Sequence, residues 1–348
     1  MTQTPVHIVA IGLRSPIGLS PDAAAAAYRA GFSRLSDHPF MVDGLGEPVR
    51  GCLDPHLDAR IVGHERLSAL LDFVLRYALI QLAPGHPLPP LLLALPEHRP
   101  GFAQADEDAI QTRLSSSLPG LRCGVFGRGH AGSLEAIRVA CQEQLGPSCG
   151  VCLVAGVESY FEADTIEWLA DNRQLLDEET RGGFFPGEGA GCLVLATEAA
   201  RRRAQLPSLG VIRGAGSALE SALIRTDAIN RASGLITAID HAYHGFRLPS
   251  DAVDCVYSDV NGEAYRQDEW GLAQLRRPIS FKYPVGRPAH CEFPVKAWGD
   301  QGAAAGVLLA ALACADWRHG WAFGRRAMLV ASSEGGLRSA VIIDQPTT

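Results

Sequence analysis

Short apolar runs alternating with amphipathic helices predict that this 348-residue chain is an α/β protein with mostly parallel sheets covered on both faces. Three observations carry the expectation. Residues 7–12 (HIVAIG) form a nearly continuous apolar run, as a strand buried on both faces must. Residues 151–155 (VCLVA) and 327–331 (AMLVA) have the same character. Residues 65–82 space their apolar positions as a core-facing helix does.

The elements follow in order. A turn at Ser15-Pro16-Ile17-Gly18 closes the first strand. Ser20-Pro21-Asp22 then supplies an N-cap and a proline at the first helical position, ahead of an alanine-rich helix to Ala30. Residues 38–59 read as irregular. A proline-rich stretch, 84–100, wraps an LLLAL strand. Helix 106–115, strand 123–126, a glycine-rich turn at 127–132, helix 133–145 and strand 151–155 come next. An irregular polar stretch precedes strand 189–196 and helix 198–205. From Ser208 the alternation resumes with strand 211–216, helix 228–243, strand 254–258 and helix 264–274. A glycine–alanine helix at 302–315 and strands 327–331 and 338–343 complete the chain. A soft division lies near residue 205, with no sequence repeat visible across it.

The net charge of −7 argues against a broad nucleic-acid-binding face. Lys282 and Lys296 are the only lysines, as in a sequence biased toward Arg and Ala codons. The most apolar run, 88–95, contains two prolines and falls far short of the roughly 20 residues of a spanning helix, so no membrane span is expected. Residues 1–5 are polar and lead into a strand, so no signal peptide is expected. Nine scattered cysteines read as buried reduced thiols of a cytoplasmic protein. Cys149 and Cys152 have CxxC spacing but sit at the head of a buried strand without a second pair. Neither a metal nor a cofactor is expected.

The most specific stretch is 172–203. A polar loop leads into Gly183-Phe184-Phe185-Pro186-Gly187-Glu188-Gly189-Ala190-Gly191, followed by a strand and a basic helix. Small residues let such a loop approach other backbone closely, and a buried glutamate needs donors. With Ile11-Gly12, Ser15-Pro16-Ile17-Gly18, Val154-Ala155-Gly156-Val157-Glu158-Ser159, Ala303-Ala304-Ala305-Gly306 and Glu334-Gly335-Gly336 in that order, the chain resembles the β-ketoacyl synthases of the thiolase-like superfamily. The resemblance spans nearly the whole chain. It implies a thiolase-like fold of two similar α/β halves, 1–205 and 206–348, each with a mixed five-stranded sheet, layered around central helices. It also implies a homodimer or a heterodimer.

A ketosynthase needs a cysteine at the N-terminus of a buried helix and two histidines that stabilise developing negative charge. The landmarks put Gly129 in the cysteine's place, or Ala131 after a shift, within Gly127-Arg128-Gly129-His130-Ala131-Gly132. Asn261 stands where the first histidine belongs and Asp300 where the second does. Lys296 resembles the family lysine and is expected to pair with Glu188 in a buried ion pair. An acidic Asp300 reverses the electrostatics that condensation needs. Ser332 and Glu334 fall where the family has its phenylalanine gate. His290-Cys291 offers an alternative nucleophile and base.

Loss of the three catalytic groups with the scaffold motifs retained points to a catalytically degenerate β-ketoacyl synthase-like protein that acts as a non-enzymatic binding or scaffold partner. By resemblance it is accessory to a synthase complex, with an acyl carrier protein as partner, or to a type VI secretion effector, whose associated ketosynthase-like proteins residues 29–31 and 38–43 resemble. The alternative is an acyl-thioester transferase or condensing enzyme rearranged around Cys291.

Overall fold

A computed structural model describes residues 5–43, 46–82, 86–176, 180–283 and 287–347. Its strands are β1 (Val6–Arg14), β2 (Ser36–Val42), β3 (Pro48–Gly51), β4 (Leu91–Leu95), β5 (Cys123–Arg128) and β6 (Val151–Ser159). They continue as β7 (Glu188–Thr197), β8 (Gly210–Leu219), β9 (Cys255–Ser258), β10 (His290–Glu292), β11 (Arg326–Ser332) and β12 (Leu337–Asp344). Ten of them form one sheet in the order β10-β9-β11-β12-β8-β1-β7-β6-β4-β5, and β2 and β3 form a separate hairpin.

The strand order repeats on either side of the β1–β8 junction. Numbered within each set of five, both read 3-2-4-5-1 from the outer edge inward, with the fifth strand antiparallel to its neighbours and the outer pairs parallel. The two sheets expected as separate are joined, because Val6, His7 and Ile8 of β1 pair antiparallel with Ile212, Val211 and Gly210 of β8.

Alternation along each strand divides the apolar residues between layers. On β7, Leu193 and Leu195 enter a central core, while Cys192, Val194 and Ala196 enter an outer one. The central core holds two helices, Gly132–Val139 and Ala305–His319. Residues 305–317 are all buried, which explains why the second is apolar all round. Gly306 lets these helices touch, since a Cβ there would lie 2.6 Å from Leu134 Cγ. Helices Gly63–Leu79 and Gln104–Ser117 cover one end of the sheet, and Ser233–Ala242 and Ala264–Arg276 the other.

Several elements depart from expectation. Residues 38–59, read as irregular, contain the β2–β3 hairpin. The polar stretch after β6 contains a helix, Ala163–Asp171, whose first turn is capped by the Glu162 side chain accepting from Asp164 N. The helix expected from residue 228 begins at Ser233, because Ala232 is left-handed (φ +57°) and its N–H donates to the Asn230 side chain. The Ser20 cap and Pro21 start the first helix as expected. Residues 1–4, 84–85 of the proline-rich stretch and 177–179 of the polar loop lie outside the described residues. Among the described residues no helix is long and apolar enough to cross a membrane.

Candidate functional site

Three loops at one end of the strands build the site. The first leaves β5 and turns at Gly129, whose φ of +66° favours glycine. Gly129 N donates to Leu95 O at 3.0 Å, and Gly132 N to Gly129 O at 2.9 Å. Gly127 packs directly on the Gly132 backbone, leaving no room for a Cβ. This tight turn delivers His130 inward, at the threshold of the Gly132–Val139 helix, where it is buried.

The second loop follows β9 and carries Asp259, Asn261 and Glu263 into the helix that bears Arg266. The third carries Asp300, 2% exposed, between the short helix Val295–Trp298 and the turn Gly302–Ala304. Asp300 Oδ1 accepts from His130 Nε2 at 2.8 Å, Tyr160 OH at 2.9 Å and Gly302 N at 2.8 Å. Its Oδ2 accepts from Asn261 Nδ2 at 2.5 Å. Asn261 Nδ2 also lies 3.0 Å from Glu263 Oε2. Arg266 donates from Nε to Glu263 at 2.8 Å and from Nη1 to Asp259 at 2.7 Å and to Ser332 O. Its Nη2 rests against both ring nitrogens of His130, at 3.1 and 3.2 Å.

Burial pushes the Asp300 carboxyl up, but His130, Arg266 and Asn261 together hold it well below the usual carboxylate range. For His130, burial and Arg266 oppose the imidazolium, and the Asp300 and Asp259 carboxylates outweigh them, leaving its pKa above the ordinary histidine value. Burial raises Asp259 above the carboxylate norm. Four donors reach Asp300, three at Oδ1 and one at Oδ2, and together they hold it as a buried anion.

Above this cluster opens a cleft of about 370 Å³, with Gly129 and His130 in its lining beside Glu97, Arg99 and Tyr160. A Cβ on Gly129 would lie 2.9 Å from Glu97 Cδ and 3.0 Å from Ser333 Oγ, so the neighbours fill the space of a side chain there. None of the cleft-lining residues is a cysteine.

Gly129, Asn261 and Asp300 therefore come together around His130. Lys296 does not join them. It is exposed, with Nζ 5.2 Å from the Tyr28 ring centroid. The expected Glu188–Lys296 pair is replaced by Glu188–Arg66, with Arg66 Nε and Nη2 each 2.5 Å from a carboxylate oxygen. Asp54 N and Ser159 Oγ also donate to Glu188, at 2.7 and 2.9 Å. A guanidinium fork matches both oxygens at once, which an ammonium cannot.

His290 and Cys291 do not face each other. His290 stacks on Phe323 at 4.0 Å and lies 2.8 Å from Glu292, while burial pushes the Cys291 thiol up to about 11. His130, Tyr160 and Arg266 join the site without any of the landmark motifs pointing to them. His130 lay in view between the two positions weighed for the nucleophile; Glu263 and Arg266 are a pair three residues apart at a helix start.

The fold is shared with solved ketosynthase structures. One chain of the AntDE:AntF structure, a type II PKS acyl-carrier protein in complex with its ketosynthase bound to the hexaketide, aligns over 99% of this chain and 100% of its own length at a TM-score of 0.80 and 14% identity. The ketosynthase from module 6 of the bacillaene synthase of Bacillus subtilis 168 aligns at 0.78 and 14% identity, covering 99% of this chain and 72% of its own. The ishigamide ketosynthase/chain length factor aligns at 0.76 and 14%, covering 99% and 100%. At these identities the likeness is one of fold. No family model matches the chain, and no curated protein matches it.

Proposed function

We propose that this protein is a catalytically degenerate ketosynthase-fold protein that acts by binding rather than by acyl transfer. The observation that carries the reading is Asp300, a buried carboxylate that accepts hydrogen bonds from His130, Asn261, Tyr160 and Gly302 beneath a cleft without a thiol. Decarboxylative condensation requires a nucleophile and donors aimed at a developing anion. Here the donors are committed to a resident anion. A protein partner is supported by the AntDE:AntF complex, which pairs an acyl-carrier protein with its ketosynthase, and by the ishigamide ketosynthase/chain length factor. Self-association through β5 is supported by its position at the sheet's edge, with β4 as its only strand neighbour among the described residues.

The test is intact mass spectrometry after incubation with acyl-CoA and acyl-carrier-protein thioesters. The mass is expected to stay that of the unmodified chain, while size-exclusion with light scattering shows a complex with the carrier protein. A covalent acyl adduct, above all one lost in Cys291→Ala, overturns the non-catalytic reading.

A further inference from the structure

The cleft above His130 differs from an acyl-binding tunnel in the charge on its walls: Glu97, Arg99, Glu158, Arg225 and Glu334 all line it. Most of these groups neutralise one another. Arg99 Nη2 donates to Glu158 Oε1 at 2.6 Å, and Arg225 Nη2 to Glu334 Oε2 at 2.8 Å.

Two neighbours keep unused capacity. The Glu97 carboxylate accepts one hydrogen bond, from Gly335 N at 2.9 Å, and pairs with no cation among the described residues. Burial raises its pKa, with Gly335 N, His130 and Arg266 opposing the rise and the Glu334 carboxylate adding to it. Arg99 is its counterpart. Its side chain is 8% exposed, its hydrogen bonds to Glu158 and Ser159 O all run through Nη2, its Nε is buried without a partner, and its Nη1 donates to no group among the described residues. Buried polar groups are ordinarily satisfied, so an unfilled guanidinium beside an under-donated carboxylate marks two complementary vacancies for a ligand. Their Cα atoms are at most about 7 Å apart, because a chain cannot extend further over two residues. The Tyr160 ring lies 4.6 Å from the Arg99 guanidinium and walls that side.

Building on the non-catalytic reading of this site, we propose that the cleft binds a small zwitterion of the ω-amino-acid kind, its ammonium on Glu97 and its carboxylate on Arg99, and not an acyl chain. An acyl chain would desolvate both charged groups without replacing their hydrogen bonds. A zwitterion with a few bonds between its charges meets both, and the cleft has ample volume for one.

Isothermal titration at pH 7 with β-alanine, 4-aminobutyrate, butyrate, n-butylamine and butyryl-CoA tests this, with Glu97→Gln as the variant and circular dichroism as the check on its fold. At least one amino acid is expected to bind ten-fold or more tightly than butyrate, n-butylamine or butyryl-CoA. Glu97→Gln is expected to weaken the amino acid and n-butylamine about ten-fold, the scale of one charged hydrogen bond, and to leave butyrate unchanged. Butyrate or butyryl-CoA binding as tightly as the amino acids overturns the proposal. So does a folded Glu97→Gln that binds them unchanged, or the absence of heat with either amino acid. Any of these without a covalent butyryl adduct defeats the ligand assignment alone, whereas an adduct defeats the non-catalytic reading beneath it.

Discussion

Asp300 sits where a ketosynthase-like reading of the sequence asks for a histidine, and its surroundings have adapted to a negative charge rather than tolerating one. His130, Asn261, Tyr160 and Gly302 N all donate to it, and Arg266 backs the imidazole. Removing one partner of a buried charge network strands the others, at a typical loss of about 3–5 kcal/mol, so Asp300→Ala is expected to lower the urea-unfolding free energy by that order. The sign with pH follows from its depressed pKa. The Asp300 contribution is present above the unfolded-state carboxylate pKa of about 4 and is lost as pH falls through the lower folded value. Asp300→Asn should therefore be less stable than wild type at pH 7, with the gap closing in acid. Glu97 has the opposite sign, since burial raises its pKa and its ionised form opposes folding at neutral pH. Glu97→Gln is expected to raise Tm by a few degrees at pH 7, with the gain shrinking as pH falls and the wild-type carboxyl protonates; a scan at several pH values checks it. Installing the residues that the resemblance to ketosynthases asks for, as Gly129→Cys, Asn261→His and Asp300→His, is expected to yield no condensation in a malonyl-decarboxylation assay. Glu97 and Ser333 fill the room at residue 129, and its positive φ strains any side chain placed there.

At the scale of elements, the sequence exposed what burial dictates and hid what local polar bonds dictate. The LLLAL strand, residues 151–155 and the all-apolar helix beginning near Gly302 were legible because an element covered on every side has little room for a polar residue. The β2–β3 hairpin and the Ala163–Asp171 helix were not, since strands of seven and four residues and a helix of nine are too short to display a period. The loop between β8 and the Ser233–Ala242 helix shows how such segments are held. Glu220 staples its base by accepting from Ser221, Ala222 and Gly234 N–H groups. Arg225 latches it across the cleft, donating to Asn172, Gln174 and Glu334 and resting 4.5 Å from the Trp168 ring centroid. Arg225→Ala removes the latch but not the staple. Hydrogen exchange at residues 221–227 is expected to accelerate while global stability moves by no more than about 0.5 kcal/mol, which exchange mass spectrometry and urea unfolding together report.

For the molecule as a whole, the convergence of residues 129, 261 and 300 could be located from landmarks only because the order of the elements was readable. The partners that define their chemistry were not, because Tyr160 and Arg266 reach the site from β6's end and a surface-like helix that carries mixed charge. The same topology leaves the ten-stranded sheet with two unequal ends. At one, β10 pairs over three residues, too short to template another strand. At the other, β5 presents six residues, uncharged until Arg128, with Phe126 38% exposed. Monomeric proteins blunt such an edge with charge, proline or cover; β5 lacks charge and proline over residues 123–127. If β5 pairs with its counterpart in a second copy, the chain should elute as a dimer in size-exclusion with light scattering. Val125→Pro removes a ladder donor and Phe126→Glu places charge on the edge, and each is expected to shift the mass to that of one chain while leaving far-UV circular dichroism unchanged. A wild-type protein that stays monomeric at micromolar concentration rules the pairing out, and a Phe126→Glu dimer of unaltered stability places the interface elsewhere on the surface.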